Sequence, residues 1–504
     1  MPEPSGEPNT ISAAAPQCLP DAKPPDRRAL CLARGRRTTS AARSFEQTSG
    51  FWFTFRELPA NVPGLKLPSG IRYDTRQLGN WGSISSPAPG VCCARNGARW
   101  AMLEFVVVAT LAVCVAISIG SFGYLLLAIC CVSRLPPKTG DAAARAPATT
   151  VLKPLCGDEP RLHEALLSFC AQDFPAPLQI IFGVRSPTDS ALPIVRELKA
   201  QHPHLDIEIV VDPAVHGPNF KASNLINMMR FAKHDVIVVS DSDILIGRDH
   251  LRQITARLVA SPATIITCLY RGAPAHPESW VSQLGALYID AWYLPAAAVD
   301  GIVFGVTACY SPLMALRREF VATELDNFHA LATAIGDDAH IGRIATERGR
   351  KIELAPFLVL TTIPETRLYQ LFIHELRWAR TMRAMRPGEC LASIFTHALP
   401  VALLMVALSP GTVTALLFGF IAALRALLLA TVEARVGRAP TAKTPTPWFL
   451  MFREFLYFGV WLWAFANRTI IYRGRKLSIQ PGGRIVADDF VAAGLPLADR
   501  NPAA

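Results

Sequence analysis

A chain of 504 residues, 51% of them hydrophobic and with positive mean hydropathy, is too apolar for an ordinary soluble enzyme and reads as a membrane protein. Its formal charge of +10 suits anionic lipid headgroups, while the polar region holds no basic stripe interleaved with aromatics, which argues against a nucleic-acid partner. The 12 cysteines, Cys92-Cys93 and Cys130-Cys131 among them, form no Cys-x-x-Cys pair and no Cys/His set at zinc spacing, so they read as reduced structural residues.

Residues 1–101 are rich in Pro, Arg, Ser and Gly, with no sustained period and no apolar run suited to a signal peptide. Met102, directly before the first apolar run, favours a gene start placed too early, which would make these residues an over-extended leader; the plain alternative is a disordered basic leader. Residues 103–132 then run with a single charge, Glu104, at their edge, long enough to span a bilayer. Two more apolar zones come late: Leu391 to Val432, broken by Ser409-Pro410-Gly411 and carrying Arg425, and Trp448 to Tyr472, with Arg453 and Glu454 near its start. The expected plan is a polar domain at 149–388 between a span at 103–132 and two or three membrane segments within 391–472, followed by a cytoplasmic tail at 473–504. Arg134, Lys138, Arg145 and Lys153 after the first span, and Arg473, Arg475 and Lys476 after the last, both read as cytoplasmic flanks. Having both on one side needs an even number of crossings between them. Of the three late segments, Leu391 to Leu408, with His397 and Pro400, is therefore expected in the interface.

In the polar domain, strand and helix alternate. Thr149–Leu155, Leu178–Val184, Ile207–Val211, Val236–Val239 and Thr264–Tyr270 are short apolar strands, and helices are expected from Pro160, Leu192, Ser223 and Asp249. This alternation implies an α/β domain with a mostly parallel sheet and helices on both faces. In such sheets ligands bind at the carboxyl ends of the strands. Asp189 and Asp241 both fall just past strand ends, on that edge.

Four stretches carry candidate chemistry. In DVIVVSDSDILI (residues 235–246) a β-branched strand ends in Asp241 and Asp243; two carboxylates so close repel unless a cation sits between them. Mg²⁺ is commonly held by one or two carboxylates plus substrate phosphates, which would explain the pair. In Asn219-Phe-Lys221-Ala-Ser-Asn224 the lysine can meet a diphosphate and the amides a nucleoside or sugar; the plain alternative is a polar loop with a helix cap. Gly336-Asp337-Asp338 opens a helix, where acidic residues are ordinary dipole partners, yet Asp338 at a glycine-led turn is also a candidate general base. Finally, in His374-Glu-Leu-Arg377-Trp378-Ala-Arg380-Thr-Met-Arg383 the arginines share a helix face, positioned for a leaving diphosphate or for lipid headgroups, with Trp378 as an apolar wall.

VLKPLCGDEP at 151–160, Asp189, the N-x-K-x-x-N run at 219–224, DSD at 241–243, GDD at 336–338 and RW at 377–378 form an ordered set. On these residues the chain from about Val151 to Arg386 resembles a family 2 or family 21 glycosyltransferase of the GT-A fold. It most resembles the ceramide glucosyltransferases and the bacterial glycosyltransferases associated with hopanoid biosynthesis. The resemblance implies that Asp189 contacts the uridine, that Asp241 with Asp243 holds Mn²⁺ or Mg²⁺ on the diphosphate, that Asp338 is the base, and that Arg377 and Trp378 close over donor and acceptor. Asn219, Lys221 and Asn224 are further donor-binding candidates. His374 stands where such enzymes usually carry Gln or Arg, and Asp243 is an aspartate that many ceramide glucosyltransferases lack.

The implied activity is inverting transfer of a hexose or N-acetylhexosamine from a UDP-sugar to a lipid hydroxyl, at a bacterial inner membrane with the catalytic domain in the cytoplasm. A processive polysaccharide synthase shares several of these motifs but needs a translocation channel. A non-catalytic lipid-binding membrane protein would be expected to have lost Asp241 or Asp338, and both are present.

Overall fold

The computed structural model describes residues 90–135, 145–310, 313–472 and 475–486. The leader lies outside these residues up to Gly90, where helix α1 (Gly90–Ser133) begins. The first expected span forms the body of this helix, and Leu103, Phe105 and Val108 on it are exposed, as a lipid-facing surface requires.

The polar domain is an eight-stranded sheet ordered β3-β2-β1-β4-β7-β6-β8-β5. Strands β1 (Thr149–Pro154), β2 (Leu178–Val184), β3 (Asp206–Val211) and β4 (Val236–Ser240) are all parallel to their neighbours within this group. They are joined by α2 (Leu162–Cys170), α3 (Leu192–Gln201) and α4 (Phe220–Met229). The remainder is β5 (Ile244–Leu245), α5 (His250–Ala260), β6 (Ile265–Pro274), β7 (Leu313–Arg317), α8 (Arg318–Thr323), α9 (Asp337–Glu347) and β8 (Ile352–Ile363). Strand β7 runs antiparallel between β4 and β6, and β5 antiparallel to β8, so the sheet is mixed beyond β4. Every residue of β1 and β4 is buried, because helices cover both faces. Phe169, Leu192 and Leu251 build the core on one side, and Leu225, Phe320 and Ile341 the core on the other. Helix α4 comes close to β2 because Gly183 lacks a side chain; a Cβ there would lie 2.3 Å from the Met228 sulfur.

The membrane region departs from the expected plan in three places. Among the described residues three helices are long and apolar enough to cross a membrane: Trp100–Ser133, Trp280–Phe304 and Thr412–Val436. The second, unforeseen in the sequence, joins α6 (Trp280–Tyr288) and α7 (Leu294–Val299) through π-helical turns and sits inside the polar domain. Its Asp290 accepts hydrogen bonds from Arg271 at 2.9 Å and from the Gly272 N–H at 3.1 Å, which ties its middle to β6.

After α10 (Leu368–Met385), α11 (Pro387–Ala392) and the turn that follows it meet α12 (Ala398–Leu408) at a 59° bend, a broken span or a re-entrant pair. Helix α13 (Thr412–Val436) is the late helix that is long and apolar enough to cross a membrane. The third zone is not among the helices long and apolar enough to cross a membrane. Its helix α14 (Pro447–Ala464) buries Arg453 and Glu454 and packs on α10, and the chain then turns into β9 (Thr469–Tyr472). Charges that would oppose membrane insertion are instead paired inside the protein. The described part of the expected tail is also structured: β10 (Arg475–Ile479) and β11 (Ile485–Val486) complete an antiparallel sheet with β9.

Candidate active site

Ten of the residues singled out in the sequence line one cavity of about 1550 Å³: Asp189, Asn219, Lys221, Asn224, Asp241, Asp243, Asp338, His374, Arg377 and Trp378. It opens at the carboxyl ends of β1, β2 and β4, where parallel strands leave a crevice, and continues past Tyr288 and Trp292 to Tyr124 on α1 and Trp461 on α14.

The DSD turn is held from beneath. Lys153, fully buried on β1, donates to the Asp241 carbonyl at 2.7 Å and to Ser240 Oγ at 3.3 Å, and its ammonium lies 3.8 Å from the centre of the Phe169 ring. Burial draws its pKa down to about 7 against the opposing pull of Asp243 and Asp241. The middle residue, Ser242, donates to Glu159 Oε2 at 2.6 Å. Asp243 accepts from Thr361 Oγ1 at 2.6 Å. Lys153 and Glu159 both stand in the VLKPLCGDEP stretch, so that motif was the sequence signal for them.

Lys221 does more than the sequence reading assigned to it. Its ammonium pairs with Asp241 and also with Asp337 Oδ2, the latter at 2.6 Å, and so joins the DSD turn to the GDD turn. These two carboxylates hold its pKa well above the lysine range despite burial. Asp241 is pushed up to about 7, first by burial and then by Asp337 and Asp243, with Lys221 opposing. Asp337 is held below the usual carboxylate range because the Lys221 ammonium outweighs its burial. Asp338 is raised to about 6 by burial and by neighbouring Asp337. Gly336, with φ 71°, makes the left-handed turn that starts α9 and presents both acids.

The two asparagines are mostly engaged by the protein itself. Asn219 caps α4 by accepting from the Lys221 and Ala222 N–H groups, and its Nδ2 donates to the Ala334 carbonyl at 2.8 Å. The amide expected on the donor thus acts here as the helix cap that was its plain alternative. Asn224 donates to the Gly183 carbonyl at 2.7 Å, while its buried Oδ1 has no hydrogen-bond partner. Asp189 accepts from the Gly157 N–H at 2.9 Å and the Ala191 N–H at 3.0 Å, which fixes its carboxylate at the cavity edge.

On α10 only part of the expected basic face meets the cavity. Arg377 lines it, lying 5.0 Å from the centre of the Tyr472 ring. Arg380 and Arg383 instead turn to the backbone carbonyls of Thr469 and Asn467, and so anchor β9 rather than a diphosphate or lipid headgroups. His374 pairs through Nδ1 with Glu365, whose carboxyl it helps hold below the usual range against burial. Its ring lies 4.3 Å from that of Trp378, which in turn stacks on Tyr288 at 6.1 Å. Glu365 had no motif to mark it.

The donor set suits a hard divalent cation of the Mn²⁺ or Mg²⁺ kind. Asp241 feels the charges of Asp337 and Asp243, Asp338 feels that of Asp337, and the Lys221 charge is shared between Asp241 and Asp337. Among the described residues no group of three or more His, Cys, Asp or Glu forms a closed metal site; a cation completed by phosphate oxygens needs only one or two carboxylates. Asp241 and Asp243, which both line the cavity, could supply them.

The model of glycosyl transferase family 21 matches residues 99–485. Ceramide glucosyltransferase 1 of Caenorhabditis elegans is 22% identical over 352 residues, 67% of this chain and 73% of that protein. A ceramide glucosyltransferase of Candida albicans is 33% identical over 106 residues, 19% of this chain and 20% of that protein. Among solved structures, the mannosyltransferase PcManGT from Pyrobaculum calidifontis, in complex with GDP-Man and Mn²⁺, gives a TM-score of 0.42 at 20% identity, covering 65% of this chain and 98% of that one.

Proposed function

The chain belongs to glycosyl transferase family 21 and is a glycosyltransferase, and from this premise we propose a membrane-bound inverting enzyme that moves a hexose or N-acetylhexosamine from a UDP-sugar to a lipid hydroxyl. A ceramide or a hopanoid polyol is the acceptor. The observation that carries this reading is the continuity of one cavity. Its sheet-edge end holds Asp189, Lys221 and the aspartates, and its far end is walled by Tyr288 and Trp292 and reaches α1. A polar nucleotide-sugar suits the first end and a lipid the second. The basic flank at Arg134 and Arg145 supports a cytoplasmic catalytic domain at a bacterial inner membrane.

In this reading Asp338 takes the proton of the acceptor hydroxyl as that oxygen attacks the anomeric carbon opposite the diphosphate, which leaves as UDP with inversion of the configuration. Asp241 and Asp243 would hold Mn²⁺ or Mg²⁺, which when bound neutralises charge on the departing diphosphate. Lys221 and Arg377 add fixed positive charge at the same place. Trp378, braced by His374 and Tyr288, screens the sugar from water. Holding both reactants at the membrane surface supplies the proximity term.

The test is sugar transfer in membranes expressing the full chain, with UDP-glucose or UDP-N-acetylglucosamine and either ceramide or a polyol hopanoid. A single glycolipid product, lost in Asp338→Asn, is expected. Long polymer in place of a glycolipid, or UDP-sugar binding with no transfer, would overturn the reading.

A further inference from the structure

We infer that Arg475, carried by the C-terminal hairpin, binds the diphosphate of the donor, so that the strands after the last membrane-region helix complete the active site. The inference rests on the nucleotide-sugar reading above. In the sequence Arg475 reads only as a marker of membrane orientation.

The hairpin is fixed against the catalytic domain along its length. The Ile485 N–H donates to the Thr333 carbonyl at 2.8 Å and the Ile335 N–H to the Gly483 carbonyl at 2.9 Å, so β11 and the turn before it brace the segment that leads into Gly336. Ile335, Ile470, Leu477, Ile479 and Ile485 close a small apolar core between them. Arg380 and Arg383 of α10 hold β9 by the carbonyls of Thr469 and Asn467. An arginine on this hairpin is therefore placed by backbone pairing and side-chain packing together.

Arg475 sits opposite Tyr472 in the β9–β10 register, and both side chains line the cavity. Its guanidinium lies 4.2 Å from the centre of the Phe220 ring and donates to the Pro218 carbonyl at 3.3 Å. Arg185, at the end of β2, lies 3.8 Å from the centre of that same ring, and its buried Nε has no hydrogen-bond partner. Two guanidiniums thus share one aromatic ring beside Lys221, with Arg377 over the facing Tyr472. Their repulsion is visible in Arg185, whose pKa is lowered by burial and then by Arg475. An aromatic ring offsets part of that repulsion; a dianion with oxygens matched to the arginine fork relieves it more fully. The donor diphosphate is the ligand of that chemistry which this end of the cavity takes.

The test is UDP binding by titration calorimetry on the purified full chain in lipid nanodiscs, alongside uridine and steady-state transfer. Arg475→Gln is expected to weaken UDP about tenfold or more, the loss of a charge-assisted hydrogen bond, with uridine binding and the lipid KM unchanged. Arg475→Lys, which keeps the charge, should weaken UDP less, and Lys476→Gln, on the exposed side of the same strand, should leave it unaltered. Should Arg475→Gln fail to fold, the Arg475→Lys result decides: UDP affinity equal to the parent would overturn the inference. So would Arg475→Gln binding UDP as the parent does, or raising only the lipid KM, the signature of an anionic headgroup contact. A parent chain that binds no UDP would instead sink the nucleotide-sugar reading, and this inference with it.

Discussion

Lys221 Nζ lies 2.6 Å from Asp337 Oδ2 while also pairing with Asp241, so one ammonium holds the DSD turn and the GDD turn together. The lysine is on α4, Asp241 follows β4 and Asp337 opens α9. Two consecutive elements and a third much later in the chain meet at this one charge.

Lys221→Met should therefore damage two functions with one change. Asp241 and Asp337 lose their shared cation, their mutual repulsion rises, and both carboxyls titrate higher. Transfer kcat/KM is expected to fall by about 10²-fold or more, the scale of losing one preorganised stabilising group. Lys221→Arg should recover part of it. Parent-like kinetics in Lys221→Met would show that the lysine serves the fold alone.

Asp338 gives a pH prediction with a definite sign. Burial and then Asp337 raise its pKa to about 6. A base works deprotonated, so kcat/KM should be flat above pH 7 and fall as pH drops through about 6. Asp338→Asn should lose about 10²- to 10⁴-fold in kcat. The stability effect runs the other way. A carboxyl with a raised folded pKa disfavours its own charged form, so its cost to folding appears as pH rises above the unfolded value and is full above about 6. Asp338→Asn should accordingly raise the melting temperature at pH 7.5 and leave it unchanged near pH 3; thermal unfolding at both pH values decides this.

Ser242 offers a quieter test of the DSD turn. Its hydroxyl donates to Glu159 at 2.6 Å while the two flanking aspartates point at the cavity. Ser242→Ala should cost about 1.5–3 kcal/mol, the range for a hydrogen bond to a charged acceptor. By loosening the turn it should also weaken Mn²⁺ binding, read by the paramagnetic spectrum of the titrated ion. Unchanged Mn²⁺ affinity would mean that Lys153, Lys221 and Thr361 set the turn without Ser242.

How far the sequence spoke depends on the range of the contacts involved. Strands β1 to β4 and their carboxyl edge were legible because each is a short β-branched run closed by a turn residue, and a parallel sheet puts such ends together. For the same reason the motif residues could be placed in one cavity. Strand β7 was not legible, since its antiparallel place between β4 and β6 is decided by partners 73 or more residues before it for β4 and 47 or more for β6. Helix Trp280–Phe304 hid its role because Asp290 finds its counter-charge only when Arg271 on β6 is adjacent. Arg380 and Arg383 looked like a ligand-binding face because helical spacing reveals direction but not the carbonyls that wait there. The hairpin at 469–486 was concealed by an apolar zone that runs on from α14 into β9.

The buried charges of α14 give the last prediction. Arg453 donates to Glu375 of α10 at 2.5 Å, and Glu454 pairs with Arg425 of α13, all four side chains nearly inaccessible. The Arg453 guanidinium also lies 4.9 Å from the centre of the Tyr288 ring, one wall of the cavity. Removing one partner strands the other charge, so Glu375→Leu is expected to destabilise by about 3–5 kcal/mol. Replacing both partners, as in Glu375→Leu with Arg453→Met, should restore most of that stability, because an apolar pair of similar volume needs no desolvation. Activity should not return with it, since Tyr288 loses the cation behind it and Trp378 loses its firm neighbour. Melting temperature and kcat/KM of the single and double variants separate the two effects; recovery of both together would confine the pair to a structural role.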